Sequence, residues 1–156
     1  MQDTKILVYH GGYIEINEPR IIRSKFNKDF GFGFYCTEIE NQARRWAMRF
    51  DTQVVSVYEY MPSDALNIMN FREMSDNWLD FIASCRHGEG HDYDIVTGAM
   101  ANDQVWNYVA DYLSGVLTRE QFWVLAKFKQ PTHQIAFCTE KAFAHLKFIK
   151  SYEVKP

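Results

Sequence analysis

The sequence predicts a single α+β domain over residues 1–156. Short apolar or alternating runs typical of strands are mixed with longer stretches that repeat apolar residues at helical spacing. The two kinds of element follow no regular βαβ alternation, which argues against a doubly wound sheet. With 156 residues, 47% of them hydrophobic, the chain is long enough to bury one core.

The first half of the chain predicts three strands and one helix. Apolar residues 6–9 indicate a buried strand that ends in a His10-Gly11-Gly12 turn, because glycine allows a close backbone approach. Residues 15–29 mix charges with a proline and indicate a long irregular connection. The remaining elements are a turn and short strand over residues 30–36, a helix from a T-x-x-E capping box at Thr37 to about Arg49, and a strand over residues 53–60.

Helix caps and apolar spacing predict the elements of the second half. These are a helix from Ser75, a loop over residues 86–91, a strand over 93–96, a helix from Asn102 to near Gly115, a helix from a second capping box at Thr118, a strand over 131–138 and a final helix from Thr139 to about Ile149. The apolar stripes of these helices are expected to face the core.

The charge balance disfavours several classes of partner. Seventeen Lys and Arg face twenty Asp and Glu, so the net charge is -3 and the isoelectric point is near 5.9. Such a chain has no general attraction to nucleic-acid backbones or anionic lipid. A local basic cluster in the irregular connection is expected to be a solvated loop. Its members are Arg20, Arg23, Lys25 and Lys28.

Cysteine spacing and the lack of long apolar runs bear on the compartment. Three widely spaced cysteines, with no C-x-x-C, favour a reducing environment over a disulfide framework or a zinc ribbon. No apolar segment has the length of a signal sequence or of a membrane span. We therefore expect a cytoplasmic protein with no membrane partner.

Three candidate functional residues lie on or beside predicted strands: His10, Tyr35 and Gln134. Each residue taken alone is more simply explained by packing or solvent exposure. In this order and with these flanks, they resemble the His-Tyr-Glu branch of the ADP-ribosyltransferases, which includes the poly(ADP-ribose) polymerases and diphtheria toxin. The whole chain is also similar to DUF3990, a bacterial family of uncharacterised stand-alone domains. The segments that carry these resemblances are residues 9–12, 31–35, 92–96, 101–104 and 133–137.

The resemblance implies an ADP-ribosyltransferase-like mixed or antiparallel split sheet flanked by helices, with NAD as the substrate and no metal. His10 would hydrogen-bond a ribose hydroxyl of the adenosine half, and the Gly11 backbone would pair with the nicotinamide carboxamide, which a side chain at position 11 or 12 would crowd. Tyr35 would stack on the nicotinamide ring. The implied catalytic residues are His10, Tyr35 and Gln134, and the implied NAD-binding residues are His10, Gly11, Gly12, Gly33, Phe34 and Tyr35.

Gln134 departs from the pattern of this branch, which has Glu there to stabilise positive charge on the ribose. A neutral amide can hydrogen-bond the ribose hydroxyl but cannot act as a general base. Elongation to poly(ADP-ribose) is therefore not expected, and Gln134→Glu is expected to raise nicotinamide release. Glu140 and Asp103 are candidate substitutes for the missing carboxylate, although both are also explained as favourable first-turn helix charges.

Two other kinds of site compete with this interpretation. Residues 87–92 offer two His, one Glu and one Asp as metal ligands, but their glycines argue against a rigid cage and favour a mobile surface loop. A thiol hydrolase would pair a cysteine with His10 or His133. Nothing marks a cysteine as activated, and Cys36 and Cys138 lie in apolar surroundings typical of buried thiols.

The sequence therefore predicts an NAD-dependent mono-ADP-ribosyltransferase with a macromolecular acceptor, a protein being favoured over a nucleic acid. Family analogy adds a role as a bacterial toxin or regulator, with a cognate antitoxin as the partner of a toxin. The alternatives are a non-catalytic NAD or ADP-ribose binding module and an NAD glycohydrolase. Residues 15–29 are expected to cover the adenosine half of the dinucleotide.

Overall fold

A computed structural model describes residues 5–22, 28–101, 103–126 and 132–154. The elements within these ranges are β1 (Ile6–Gly12), β2 (Phe34–Cys36), α1 (Glu40–Ala47), β3 (Val54–Tyr60), β4 (Ile68–Asn70), α2 (Asp76–Arg86), β5 (Ile95–Gly98), α3 (Asp103–Leu113), α4 (Arg119–Ala126), β6 (Gln134–Phe137), α5 (Glu140–Phe143) and β7 (Leu146–Glu153). The predicted α+β class is confirmed. No helix in these ranges is long and apolar enough to cross a bilayer.

The strands form two sheets, which backbone hydrogen bonds between described residues join at one pair of residues. The first sheet is antiparallel with the order β1-β3-β7, and the second has the order β2-β6-β5-β4, in which only β4 and β5 are parallel. Tyr9 of β1 and Thr37, just after β2, join the sheets by two backbone bonds, with N···O distances of 2.8 and 2.9 Å. If this antiparallel pairing continued along β1 for two more residues, Gly11 would lie opposite Tyr35. The structure describes no backbone pairing there, so the two sheets separate at Gly11.

Three apolar clusters hold the layers together, and each joins elements distant in sequence. One covers the outer face of the second sheet with α2, α3 and α4, and its largest buried members include Trp78, Leu79, Ile82 and Phe122. Another fills the space between the two sheets, with Val8, Phe34, Tyr58, Ile135 and Phe137. The third packs α1 on the first sheet, with Ala43, Ala47, Val55 and Val57. Packed apolar side chains therefore support both sheets next to the place where they separate.

The predicted turn at His10-Gly11-Gly12 is wrong, because β1 continues through Gly12. Gly11 and Gly12 pair in register with Val55 and Val54 of β3. Gly11 is required there by packing, since a Cβ atom would lie only 2.0 Å from the carbonyl oxygen of Ala43 in α1. Glycine at this position thus serves the close approach of a helix to a strand rather than a change of chain direction.

Helix α1 begins later than the predicted capping box requires. The Thr37 hydroxyl accepts from the backbone N–H of Ile39 at 3.1 Å, and Ile39, the N-cap, makes no side-chain capping bond. Thr37 remains extended because its backbone pairs with Tyr9. Pairing between the sheets therefore overrides the local capping signal, and the helix starts at Glu40.

The predicted final helix is also wrong beyond Phe143. Helix α5 is a single turn capped by Thr139, and the residues from Leu146 onward form the long strand β7. Phe148 of β7 packs on Tyr58 of β3 with ring centroids 5.8 Å apart. The short mixed pattern after Phe143 is compatible with either a helix or a strand. Pairing with β3 makes it a strand. The sequence patterns also missed β4, a three-residue edge strand.

Several local signals were confirmed. The Ser75 hydroxyl accepts from the Trp78 N–H at 3.2 Å, and Thr118 and Gln121 form the reciprocal capping box, with bonds of 2.9 and 3.1 Å. Gly115 has a φ of 84° after α3, as a helix C-terminus prefers. Strand β5 begins at Ile95, two residues later than predicted. The predicted cap Asn102 and the predicted strand start at 131 lie outside the described residues.

Candidate functional site

Two adjoining cavities open where the sheets separate. The Gln134 cavity has a volume of about 310 Å³, and the Gly12 cavity has a volume of about 530 Å³. Both are lined by His10, Gly11, Lys28, Tyr35 and Phe50. The Gln134 cavity is also lined by Asp29, Trp46, Arg49, Arg86, Met100, Ala101 and Gln134, and the Gly12 cavity by Gly12, Tyr13, Ile14, Ile16, Arg20, Ile21, Ile22 and Gly33. Volumes of this order are typical of small-molecule sites.

His10 is held in one orientation and one tautomer. Its Nδ1 lies 2.6 Å from the carbonyl oxygen of Tyr35, and its ring stacks on Phe34 with centroids 4.4 Å apart. Because a carbonyl can only accept, Nδ1 must carry the hydrogen. Burial lowers the pKa of His10, although the Tyr35 carbonyl opposes this effect, so the ring is neutral near pH 7. Nε2, next to Gly12, is therefore a hydrogen-bond acceptor.

The lowered pKa of His10 predicts that the protein loses stability in mild acid. Burial also lowers the pKa of His133, while Glu38 opposes the shift. Unfolded histidines take up protons as the pH falls through about 6.5, whereas these folded ones do so only at lower pH. Their contribution to the free energy of unfolding is therefore complete above that pH and is lost below it. Urea unfolding at about pH 8 and pH 5.5 measures the change, which should be smaller in His10→Asn; equal changes in the two proteins would contradict the role of His10.

Tyr35 contributes its ring, not its hydroxyl, to the cavities. The hydroxyl donates to the Gly31 carbonyl at 2.7 Å and accepts from the Phe30 N–H at 2.9 Å. Gly31 closes this turn with a φ of 82°, a conformation that favours glycine. Burial raises the pKa of Tyr35 well above its usual value, so the hydroxyl stays protonated. The ring is thus fixed at the boundary that the two cavities share.

Gln134 is buried, with only 5% of its surface exposed, at the first position of β6. The preceding residue is fastened to α1, because the Gln42 side chain donates to the His133 carbonyl at 2.7 Å and accepts from its N–H at 3.2 Å. The side-chain amide of Gln42 thus occupies both backbone groups of His133, as a residue of a neighbouring strand would. Helix α1 therefore positions both Gly11, by packing, and Gln134, by hydrogen bonding.

An ion pair beside Gln134, between a buried acid and a half-buried arginine, is the main feature that sequence reasoning missed. Asp29 is 4% exposed and is ion-paired with Arg86, whose Nε donates to Oδ1 at 2.9 Å. Oδ2 accepts from the Ala101 N–H at 2.9 Å and from Gln134 Nε2 at 3.1 Å. The sequence patterns placed Asp29 at the end of the irregular connection over residues 15–29 and Arg86 at the start of the loop over residues 86–91. Their only sequence signal is that Asp29 is the first acid after a run of basic residues.

The other predicted residues are distributed around the two cavities. Gly12 and Gly33 line the Gly12 cavity, whereas Phe34 is completely buried and supports His10 from behind. Among the predicted basic cluster, Arg20 and Lys28 line the cavities. Arg23 and Lys25 lie outside the described residues.

The candidate substitutes for a carboxylate do not reach Gln134 in the part of the chain that the structure describes. Glu140 begins α5, beyond the opposite end of β6 from Gln134, and is not a lining residue of either cavity. Asp103 is the first residue of α3, and its side chain lies outside the described part. The carboxylate that does contact Gln134 is Asp29.

Two kinds of residue from the competing sites, His91 and the cysteines, are explained by their surroundings. His91 bonds the Phe30 carbonyl at 2.8 Å and accepts from the Tyr93 N–H at 3.1 Å, so it supports the turn before Tyr35. Within the described residues, no group of three or more metal-ligating side chains comes together. Burial raises the pKa of Cys85 and of Cys138 to about 12 and that of Cys36 well above its usual value, which disfavours a thiolate nucleophile.

Comparison with known proteins places the chain in one family. The family described as "Protein of unknown function (DUF3990)" matches residues 6–148. This span includes every residue that lines the two cavities. Neither a curated protein nor a solved structure matches the chain.

Proposed function

The chain belongs to the DUF3990 family, and we propose that it is an NAD-dependent mono-ADP-ribosyltransferase. The observation that carries the proposal is the convergence of His10, Gly11, Tyr35 and Gln134 on one cavity. The four residues come from three separate segments. His10 offers a neutral imidazole, Gly11 a backbone edge, Tyr35 an aromatic ring and Gln134 an amide. A nicotinamide riboside needs this combination for its flat ring, its carboxamide and its ribose hydroxyls.

The backbone of Gly11 supports recognition of the carboxamide. Successive residues of an antiparallel strand direct their N–H and C=O groups to opposite sides, so Gly11 faces the same side as Tyr9. Tyr9 pairs with Thr37 of the second sheet, and at Gly11 that sheet has moved away. The N–H and C=O of Gly11 therefore face the cavity side by side. A primary carboxamide pairs with such a donor and acceptor as a neighbouring strand would.

The charges around the cavities support a dinucleotide as the ligand. Arg20, Lys28 and Arg49 are exposed cations at the cavity walls, in a chain whose net charge is -3. A pyrophosphate between the two cavities would be attracted to this local positive charge. The shared residue His10 presents Nε2 as an acceptor for a ribose hydroxyl. The two cavities together thus offer room for the two halves of NAD.

The chemistry that fits this site is a substitution at the ribose. The bond between nicotinamide and ribose breaks, and nicotinamide leaves as a neutral molecule with the electron pair of that bond. Positive charge develops on the ribose carbon, to which a nucleophilic atom of the acceptor bonds while it releases its proton. Gln134 supplies a carbonyl dipole and a hydrogen bond but no base. A single transfer to an acceptor that is already nucleophilic is therefore proposed, not chain elongation.

The amide at position 134 also favours a second candidate function, a module that binds NAD or ADP-ribose without turnover. Nicotinamide release by the purified protein, with and without bacterial lysate, separates the candidates. A transferase releases nicotinamide and labels a lysate component with ADP-ribose, whereas a glycohydrolase releases it without labelling. A binding module raises its melting temperature with NAD and leaves NAD intact. No release and no thermal shift would reject NAD as the ligand.

A further inference from the structure

The orientation of the Gln134 amide follows from its two neighbours. Its Nε2 lies 3.1 Å from Asp29 Oδ2 and 3.5 Å from the Ala99 carbonyl oxygen. Both neighbours are oxygens that only accept hydrogen bonds. A flipped amide would place its own oxygen against a carboxylate and a carbonyl, which is unfavourable. The NH2 group therefore points to Asp29, and the orientation is fixed.

The other end of the amide points to the cavity. Oε1 of Gln134 has no hydrogen-bond partner among the described residues, and none of their fully buried side-chain N or O atoms lacks a partner. Oε1 therefore reaches the open space of the cavity that Gln134 lines. The amide can only accept hydrogen bonds from a ligand. Oε1 therefore offers a ligand the same kind of acceptor as one carboxylate oxygen of a glutamate at position 134, but without the negative charge.

We infer that Asp29 is the positioning residue of this site, which orients the Gln134 amide so that Oε1 accepts a hydroxyl of the ligand. That the ligand is the nicotinamide ribose rests on the proposed function. Both oxygens of Asp29 are occupied, Oδ1 by Arg86 and Oδ2 by Ala101 and Gln134. Asp29 therefore acts through Gln134 rather than on the ligand. Its negative charge also polarises the amide and strengthens Oε1 as an acceptor.

This contact removes, at pH 7, the gain in nicotinamide release that is otherwise expected of Gln134→Glu. The new carboxylate would face Asp29 Oδ2, which now lies 3.1 Å from the amide nitrogen. Two carboxylates at this distance cannot both be charged easily, so the pKa of the new group is raised and it stays protonated. The protonated carboxyl donates its O–H to Asp29 and presents a neutral C=O to the cavity, as the amide does. The single variant is therefore expected to release nicotinamide no faster than the original protein at pH 7, and to gain rate as the pH rises.

The double variant Asp29→Asn with Gln134→Glu tests the inference. Here the NH2 group of an amide at position 29 donates to the carboxylate at position 134, and Arg86 compensates the same total charge. The bond from the Ala101 N–H to position 29 is lost, so thermal unfolding of the double variant is measured beside its titration. The 13C-labelled carboxyl at position 134 is titrated by NMR in both variants without NAD. We expect a raised pKa in the single variant and a much lower one in the double variant, with nicotinamide release about tenfold or more faster than in the single variant. Equal pKa values in the two variants would overturn the inference.

The design separates this inference from the proposed function. Different titrations without any NAD binding or nicotinamide release would support the positioning by Asp29 and reject the function. NAD turnover by the original protein with identical titrations would reject the positioning alone. Asp94→Asn is the matched control, since Asp94 is also a buried acid that accepts a backbone N–H, from Asn67 at 2.8 Å, but lines neither cavity. Its substitution is expected to change stability without changing the pH dependence of turnover.

Discussion

His10→Asn is expected to weaken NAD binding by about tenfold or more while the fold remains intact. The asparagine NH2 group can still donate to the Tyr35 carbonyl, which now lies 2.6 Å from Nδ1. The acceptor at Nε2 is lost, and one hydrogen bond to a ribose hydroxyl contributes roughly 1–2 kcal/mol. Titration calorimetry with NAD measures the dissociation constant, and thermal unfolding without NAD reports the fold.

His145→Asn provides the matched control for this prediction. His145 also bonds a backbone carbonyl through Nδ1, that of Met61 at 3.1 Å, but it lines neither cavity. It should leave the NAD affinity unchanged. If both variants bind NAD as tightly as the original protein, His10 does not contact the dinucleotide, and the assignment of the cavity to NAD loses its central support.

Gly11→Ala is expected to destabilise the fold by about 3 kcal/mol, near the upper end of ordinary overpacking costs. The added Cβ would lie 2.0 Å from the carbonyl oxygen of Ala43 and 3.0 Å from the backbone nitrogen of Ala47. Backbone cannot yield as a side-chain tip does, so α1 must move away from β1. Because Gln42 on α1 also holds His133, the shift would disturb the site as well. Urea unfolding measures the change in free energy.

Gly90→Ala is the control substitution for this effect. A Cβ atom at Gly90 would meet no atom within 4 Å, so the change in the free energy of unfolding should stay within about 0.5 kcal/mol. Similar stabilities of Gly11→Ala and Gly90→Ala would show that α1 does not approach β1 as closely as described. NAD binding by Gly11→Ala is informative only if this variant remains folded.

The candidate site was partly predictable from sequence. His10, Gly11 and Tyr35 lie in short segments whose glycines and aromatics are conspicuous, and Gln134 lies in a recognisable apolar strand. Their convergence on one cavity needed the two sheets, since no local pattern specifies which strands become neighbours. The ion pair of Asp29 and Arg86 had no motif at all. Two ordinary charged residues gained a special role only because folding paired them beside Gln134 and buried Asp29 there.

The same division holds for the secondary structure. The sequence by itself determined the helix starts at Ser75 and Thr118, because a capping bond joins residues only three positions apart. Tertiary structure decided the late start of α1 after Thr37 and the conversion of the expected last helix into β7. In both places, backbone pairing with a distant strand outweighs a local preference worth about 1 kcal/mol or less. Contacts within one helical turn are encoded locally, whereas contacts between sheets depend on the whole chain.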